Sequence, residues 1–315
     1  MAFDLSRRQI LTAAGAALST GIAASLGTKS AAADGEGSAS EPFGYCFNTS
    51  TIREQKLDLA SIVDLVARSG YHGIEPWIRE IEQYAANGGS LKDLAKRIRD
   101  QGLVVASAIG FAQWIVDDDA RRTAGLEQAK RDMDLVQQIG GKFIAAPPAG
   151  ANEAVDLRKA AERYRALLEV GDAIGVVPQL EVWGFSKALS KLSETAFVAI
   201  ESGHKDACLL LDVYHLYKGG SEFEALKFVN GAKMHAMHIN DYPGTPRDGI
   251  KDADRVFPGD GVAPLGEILR TLRDIGFRGM LSLELFNAEY WKQDPAKVVA
   301  TGFAKTKAAV QKALA

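Results

Sequence analysis

The sequence is poor in cysteine and has no excess of positive charge. Only two cysteines, Cys46 and Cys208, occur in 315 residues, and each lies in an apolar, strand-like run. A chain of this length needs no disulfide to stabilise its core, so we expect two buried free thiols, although an exported protein could pair them. The net charge of −3 and the lack of a Lys/Arg cluster argue against a nucleic-acid partner.

The first 33 residues differ from the rest of the chain. Arg7 and Arg8 precede a short, weakly apolar segment that ends in small residues, up to Ala33. This order is typical of a twin-arginine (Tat) export signal in residues 1–33, which predicts a periplasmic protein with no membrane association after cleavage. Residues 34–42, DGEGSASEP, are expected to form a polar linker.

Beyond the linker, short apolar runs alternate with longer amphipathic stretches. Leu126, Ala129, Met133 and Val136 recur at the three- and four-residue spacing of a helix. Several such stretches end in glycine just before the next apolar run, as in RSGYHGIE and DIGFRGMLS, which is typical of helix C-caps. The apolar runs, which we predict to be strands, are 43–50, 73–77, 103–111, 142–149, 176–183, 208–216, 234–241 and 280–287.

Eight strand–helix units favour an α/β fold in the form of a single (β/α)8 TIM barrel over residues 43–315. The alternative is a doubly wound open sheet, which usually carries a glycine-rich phosphate loop after its first strand. The segment that follows the first strand here, NTSTIREQ, is not such a loop. The barrel is therefore the predicted catalytic domain.

Acidic side chains recur at positions where charge is expensive. Glu181 interrupts the apolar run VVPQLEVW, and a period of two along the later strands places Asp212, His238 and Glu284 at comparable positions. All four lie near the C-terminal ends of predicted strands, which is where TIM barrels carry their chemistry. We therefore expect them to converge in the barrel mouth.

Converging carboxylates cannot all be buried with unpaired charge, so one divalent metal ion is the favoured explanation. Three carboxylates and one imidazole suit Mn²⁺ best, with Mg²⁺, Co²⁺ or Zn²⁺ as alternatives. The competing interpretation is a set of internal salt bridges. It would require basic partners at the same strand ends, where Arg255, in a loop, is the basic residue that we find.

The segments LEVW, DVYH, MHIND and LSLEL, in this order, resemble the motifs of the xylose isomerase-like TIM barrel superfamily. That superfamily includes sugar isomerases, ketose 3-epimerases, inosose dehydratase and AP endonucleases. The resemblance implies that Glu181, Asp212, His238 and Glu284 are metal ligands. It also implies that His215, in DVYH, and Arg255, in DADRVFPGDG, contact substrate.

The AP endonuclease branch fits less well. Its members place a histidine directly after the loop arginine, where this chain has Val256, and they carry histidines on the second and third strands that are missing here. A trinuclear zinc site and a role in DNA repair are therefore not expected.

Two further side chains near strand ends are candidates for substrate binding. Glu75, at the end of the second predicted strand, either binds a sugar hydroxyl or holds an arginine. Trp183 follows the fifth strand, where its ring either stacks on a sugar or packs in the core.

These residues predict a metal-dependent isomerase or epimerase of a sugar or related hydroxy-ketone, acting through an enediolate, with Glu181 and Glu284 as the acid/base pair. The alternative is a lyase or dehydratase on 3-keto sugars or inososes, because the same enediolate can expel a β-leaving group. A periplasmic sugar-binding protein with an inactive site is a third hypothesis. The expected partner is a small carbohydrate, and a homo-oligomer is left open.

The export signal leads to a direct test. A fusion of residues 1–40 to a folded reporter should reach the periplasm, and changing Arg7 and Arg8 together to lysine should block its transport, because the Tat route reads the arginine pair. Fractionation of the reporter measures this. Export of the double-lysine fusion at the original level would contradict the prediction.

Overall fold

The predicted alternation of strands and helices appears in the computed structural model, which describes residues 41–315. The predicted signal, residues 1–33, and most of the predicted linker lie outside the described residues. In the described part, the strands are β1 (Gly44–Asn48), β2 (Gly73–Glu75), β3 (Val104–Val105), β4 (Phe143–Ala146), β5 (Val177–Glu181), β6 (Leu209–Asp212), β7 (Met234–Ile239) and β8 (Met280–Leu283).

These eight strands form one parallel sheet in the order β3-β2-β1-β8-β7-β6-β5-β4. Ala108, just beyond β3, joins the two edges. Its N–H donates to the carbonyl of Phe143 at 3.2 Å, and its own carbonyl accepts from the N–H of Ala145 at 2.8 Å. The sheet therefore curls into a TIM barrel, which confirms the predicted fold.

Helices surround the barrel, and all but the short α9 bury residues against it. Leu265, Ile268, Leu269 and Leu272 of α8 are all buried, as their spacing requires. No helix within residues 41–315 is both long and apolar enough to cross a bilayer. The helices are α1 (Leu59–Arg68), α2 (Ile78–Ala86), α3 (Leu91–Asp100), α4 (Asp119–Gln138), α5 (Leu157–Ile174), α6 (Leu192–Glu201), α7 (Val213–Gly219), α8 (Leu265–Asp274), α9 (Ala288–Trp291) and α10 (Pro295–Leu314).

Glycines reverse the chain between several helices and the strands that follow. Gly70, Gly140, Gly175 and Gly276 have φ values between +81° and +91°, a conformation that is strained for residues with a Cβ atom. Each stands at or just beyond a helix end and before a strand, so the predicted glycine caps are confirmed.

Several predicted strands are too long, and the difference matters for the sixth. β6 ends at Asp212, and α7 begins at Val213, so the predicted strand through residue 216 is wrong there. The side chain of Asp212 accepts a hydrogen bond from the backbone N–H of His215 at 2.9 Å and caps this helix. His215 therefore lies in the first turn of a helix rather than on a strand.

Both cysteines are buried and unpaired, as predicted. Cys46 is in β1 and Cys208 directly precedes β6. Burial raises the pKa of both thiols, which keeps them protonated and unreactive at neutral pH.

Asp132 of α4 is a buried carboxyl group outside the predicted metal site. It is 3% exposed, and its Oδ2 has no hydrogen-bond partner. Burial, with a smaller contribution from Glu82, raises its pKa from 3.8 to about 6. The folded protein therefore binds this proton more tightly than the unfolded chain does, so stability falls as the pH rises from about 4 through about 6.

Replacing Asp132 with asparagine should consequently raise the Tm at pH 8 and change it little at pH 4, because the variant has no charge to desolvate. Thermal unfolding followed by circular dichroism at both pH values measures the difference. Asp134→Asn, at an exposed position of the same helix, is the matched control. Equal effects of Asp132→Asn at the two pH values would refute the assignment.

Candidate active site and metal centre

The four predicted ligands converge at the C-terminal ends of β5 to β8. Glu181 and Asp212 end their strands, His238 is the penultimate residue of β7, and Glu284 directly follows β8. The sheet register places Asp212 beside His238. Each of the four residues is at most 4% exposed, so the charges are gathered in a nearly dry site.

His238 stands at the centre of this cluster. Its Nδ1 lies 3.3 Å from Glu284 Oε2, 3.5 Å from Asp212 Oδ2 and 3.8 Å from Glu181 Oε1. This nitrogen is buried and has no hydrogen-bond partner. A buried polar atom that faces three carboxylates without a partner is the arrangement expected of a cation site.

Glu75 contacts the other ring nitrogen of His238. Its Oε2 lies 3.1 Å from His238 Nε2 and also accepts from Asn48 at 2.9 Å and from Ser282 at 2.6 Å. With the Nε2–H directed at Glu75, the lone pair of Nδ1 is free to bind a metal. Glu75 is fully buried behind the histidine and does not line the cavity that opens above the cluster. Its predicted contact with a sugar hydroxyl or with an arginine stays a prediction.

Arg255 supplies positive charge next to the cluster. Its Nη1 donates to Asp212 Oδ2 and to Glu284 Oε2, both at 2.8 Å. Its Nη2 donates to Asp252 at 2.6 Å and lies 3.2 Å from His215 Nε2. The salt-bridge interpretation is therefore realised for two of the carboxylates, while Glu181 has no arginine partner among the described residues.

Asp241 holds the loop that carries Arg255. Its carboxylate accepts hydrogen bonds from the backbone N–H groups of Gly259, Gly261 and Ala263 at 2.8 to 3.1 Å. A Cβ atom at residue 261 would lie 2.2 Å from the carbonyl oxygen of Tyr242, so only glycine fits this approach. The loop is thus rigid, and the position of the guanidinium follows from it.

Burial and neighbouring charges shift the pKa values of Glu181, Asp212 and His238 in different directions. Burial raises the pKa of Glu181 to about 8, and Glu284 and Asp212 oppose its ionisation further, against the pull of His238. For Asp212 the effect of burial is outweighed by Arg255, which brings its pKa well below the usual value. For His238 burial is outweighed by Glu284 and Glu75, which raise its pKa. A positive charge at this imidazole is thus favoured by three carboxylates, those of Glu284, Glu75 and Asp212.

His215 behaves in the opposite way. Burial lowers its pKa to about 4, so the ring is neutral at neutral pH and its Nε2 can accept from Arg255. The position on α7 turns this side chain toward the same cavity as Arg255.

A cavity of about 400 Å³ opens above the cluster. Glu181, Glu284, His215 and Arg255 line it, together with Trp183, so five of the predicted site residues meet there. Half of the remaining lining residues are aromatic. These are Trp77, Phe111, Phe185, Phe286 and Trp291.

Sequence reasoning missed Asn48 and Asp252. Asn48 ends β1 and donates to Glu75 and to Glu284, so the rule of polar residues at strand ends could have found it. Asp252 lies in a loop without periodicity, and no sequence signal points to its contact with Arg255.

The donor set fits a divalent metal ion. One atom each from Asp212, His238 and Glu284 lie within 4.8 Å of one another, and Glu181 faces the same imidazole nitrogen from β5. Carboxylate oxygens with one imidazole are ligands for Mn²⁺, Mg²⁺ or Zn²⁺.

Fold and site together define a TIM barrel with a candidate metal centre at the end where such barrels carry their chemistry. The sequence profile of the family described as xylose isomerase-like TIM barrel matches residues 63–309. The chain belongs to this family, and the predicted family membership is confirmed.

Individual relatives agree with this assignment. The chain is 28% identical over 274 residues to an inosose isomerase of Bacillus velezensis, which covers 85% of this chain and 97% of that protein. It is 26% identical over 237 residues to a 3-dehydroshikimate dehydratase of Pseudomonas aeruginosa, covering 71% of this chain but 36% of that protein. The crystal structure of the IOLI protein with a binding zinc atom matches with a TM-score of 0.81 and 25% identity, over 87% of this chain and all of that one.

The contact between Glu75 and His238 can be tested by metal affinity. Glu75→Gln should weaken binding of Mn²⁺ or Zn²⁺ by about 10- to 100-fold, because a neutral partner makes the imidazole a poorer ligand. Isothermal titration with each metal measures this. Glu82→Gln, which removes an exposed charge seven residues along, should bind as the unchanged protein does. Equal metal affinities for the wild type and both variants would show that Glu75 does not contribute to metal binding.

Proposed function

We propose that this protein is a metal-dependent isomerase or epimerase of a sugar or inosose, that is, of a ketone flanked by hydroxyl groups. One observation carries the proposal. The unpartnered Nδ1 of His238 faces Glu181, Asp212 and Glu284 at the base of a cavity that is large enough for a carbohydrate ring.

A divalent ion held by Glu181, Asp212, His238 and Glu284 would polarise a carbonyl and an adjacent hydroxyl of the substrate and so acidify the C–H bond between them. Mn²⁺ is our first choice, with Mg²⁺, Co²⁺ and Zn²⁺ as alternatives, since oxygen donors dominate the set. The protein itself must then move the proton.

Glu181 and Glu284 are the groups placed to do so. Both line the cavity, and they come from β5 and from the end of β8, on either side of β6 and β7 in the sheet. Glu181 accepts no hydrogen bond from the other described residues, whereas Glu284 is held by Arg255 and Asn48. One carboxylate can take the proton from the substrate and the other return one from a second direction, which yields an epimer or an isomer.

The remaining lining residues orient the substrate. Arg255 and His215 are fixed by their mutual contact and would bind hydroxyl or carbonyl oxygens. Trp77 and Trp183 present aromatic rings on which the C–H face of a sugar would pack. Glu75 acts through His238.

A dehydratase is the second candidate, and the similarity to a 3-dehydroshikimate dehydratase favours it. The first step, removal of a proton beside a carbonyl, is shared. The reactions diverge when the resulting enediolate either takes a proton back on carbon or expels a β-hydroxyl group, which receives a proton from one of the two glutamic acids and leaves as water.

One experiment separates these activities. Ketoses, inososes and 3-keto glycosides are incubated with the protein and Mn²⁺ in D₂O and followed by NMR. An isomerase or epimerase places deuterium on the carbon beside the carbonyl and forms a new sugar. A dehydratase gives alkene signals, and a binding protein leaves all spectra unchanged, which would defeat the proposal.

Two substitutions test the acid/base assignment. Glu181→Gln and Glu284→Gln should each lower kcat by ~10² to 10⁴-fold, the usual contribution of a group that transfers a proton in the transition state. Metal content is measured on the same samples, so that loss of the ion is told apart from loss of the base. Glu289→Gln, at an exposed position on α9, serves as the control.

If each carboxylate serves one direction, one of the two variants should still exchange the substrate proton with D₂O while forming no product. Near-normal turnover by both variants with metal bound would show that neither glutamate is the base.

A further inference from the structure

Arg53 is a cavity-lining residue for which the proposed mechanism has no use. It lies in the 3₁₀ helix Thr49–Gln55, directly after β1. Its side chain lines the catalytic cavity and also a neighbouring cavity of about 670 Å³, so it stands where the two meet. The side chain is 26% exposed and forms part of the cavity wall.

The surroundings of this guanidinium are aromatic. Its Cζ atom lies 4.7 Å from the ring centre of Trp291, 5.2 Å from that of Phe286 and 5.8 Å from that of Trp77. These rings stabilise the cation through their faces. They offer no acceptor in the plane of the guanidinium, so its N–H groups still need one.

Arg53 donates no hydrogen bond to the described residues. Its Nε is buried without a partner, and the exposed carboxylate of Glu54 lies 3.7 Å from it, beyond hydrogen-bond distance. Buried donors are rarely left unsatisfied in folded proteins, because each costs free energy. Arg255, the other arginine of this cavity, is by contrast already paired with Asp212, Glu284 and Asp252.

The segment that carries Arg53 is held firmly. Gln55 donates to the carbonyls of Tyr290 and Gln293, and the indole N–H of Trp291 donates to the carbonyl of Ser50. Hydrogen bonds on both sides of Arg53 thus tie the 3₁₀ helix to the chain around α9. A ligand that binds the guanidinium would therefore cause only a small loss of conformational entropy in this segment.

We propose that Arg53 is a specificity residue that binds a carboxylate of the substrate, so that the preferred substrate is an acidic sugar or acidic polyol ketone of the uronate type. A guanidinium presents two parallel N–H groups that match the two oxygens of a carboxylate. Within the catalytic cavity, the other arginine is already engaged with carboxylates. This inference rests on the proposed function, since it concerns the same site.

Binding of two matched probes tests the inference. D-Glucuronate and D-glucuronamide have the same shape, and only the first carries a carboxylate. Affinities are measured with Mn²⁺ present through the fluorescence of the tryptophans, of which Trp291 and Trp77 flank Arg53. Wild-type protein should prefer glucuronate by roughly 10- to 100-fold, the range of a charge-assisted hydrogen bond.

Arg53→Gln should abolish this preference and leave glucuronamide binding within about twofold, while Arg53→Lys should retain part of it. Arg79→Gln is the control, because Arg79 also stacks on Trp77, at 4.5 Å, but is exposed and lines only the neighbouring cavity. Equal binding of the two probes by wild type overturns the inference. So does an equal loss of both probes in Arg53→Gln, which would make Arg53 a packing residue.

The outcome does not depend on turnover. A protein that prefers glucuronate through Arg53 but exchanges no proton with D₂O would support this inference and refute the proposed isomerase. Isomerisation of neutral ketoses together with equal probe affinities would support the proposed isomerase and refute the role of Arg53.

Discussion

The structure depends on one electrostatic requirement, which is that three carboxylates buried around a single imidazole must be compensated by positive charge. Burying unpaired charge costs several kcal/mol per group. Arg255 neutralises part of the cluster through Asp212 and Glu284, and the carboxylates favour a further positive charge at His238. A divalent cation at this position would meet the demand.

Two separate groups of residues support the cluster. Asn48 and Ser282, from β1 and β8, hydrogen-bond to Glu75 of β2, and Glu75 in turn holds His238. The loop after β7 holds Arg255 from the side, through Asp241. Glu181 lines the cavity but has neither kind of support, so it is the least constrained of the three carboxylates.

Regular structure explains which parts of the site could be predicted. Side chains alternate along a strand, so a period of two sufficed to find Glu181, Asp212, His238 and Glu284 and to place them on one inner face. The barrel was predictable from a second regular signal. Several helices end in a glycine, and a strand follows each of these glycines.

Where the backbone leaves regular structure, the sequence pattern no longer predicts which way a side chain points. Asp212 ends its strand by capping α7, which turned His215 onto a helix that the apolar pattern did not reveal. Glu75 was correctly placed at a strand end, yet its partner comes from β7, far away in the chain. The ion pairs of Arg255 depend on the course of a loop, and hydrophobic periodicity carries no information about that course.

The hydrogen bonds from the loop backbone to Asp241 also limit how this family can diversify. A loop whose backbone amides converge on one buried carboxylate, with a glycine that tolerates no Cβ atom, has little room for insertions. The segments after β1 and β5, which carry Arg53 and Trp183, are constrained as well. Hydrogen bonds tie the first to the chain around α9, and a Cβ atom at residue 184 would lie 2.3 Å from the carbonyl oxygen of His215. New substrate preferences should therefore arise by exchanging side chains that face the cavity on these backbones, and a directed-evolution library that changes loop lengths would mostly yield unfolded protein.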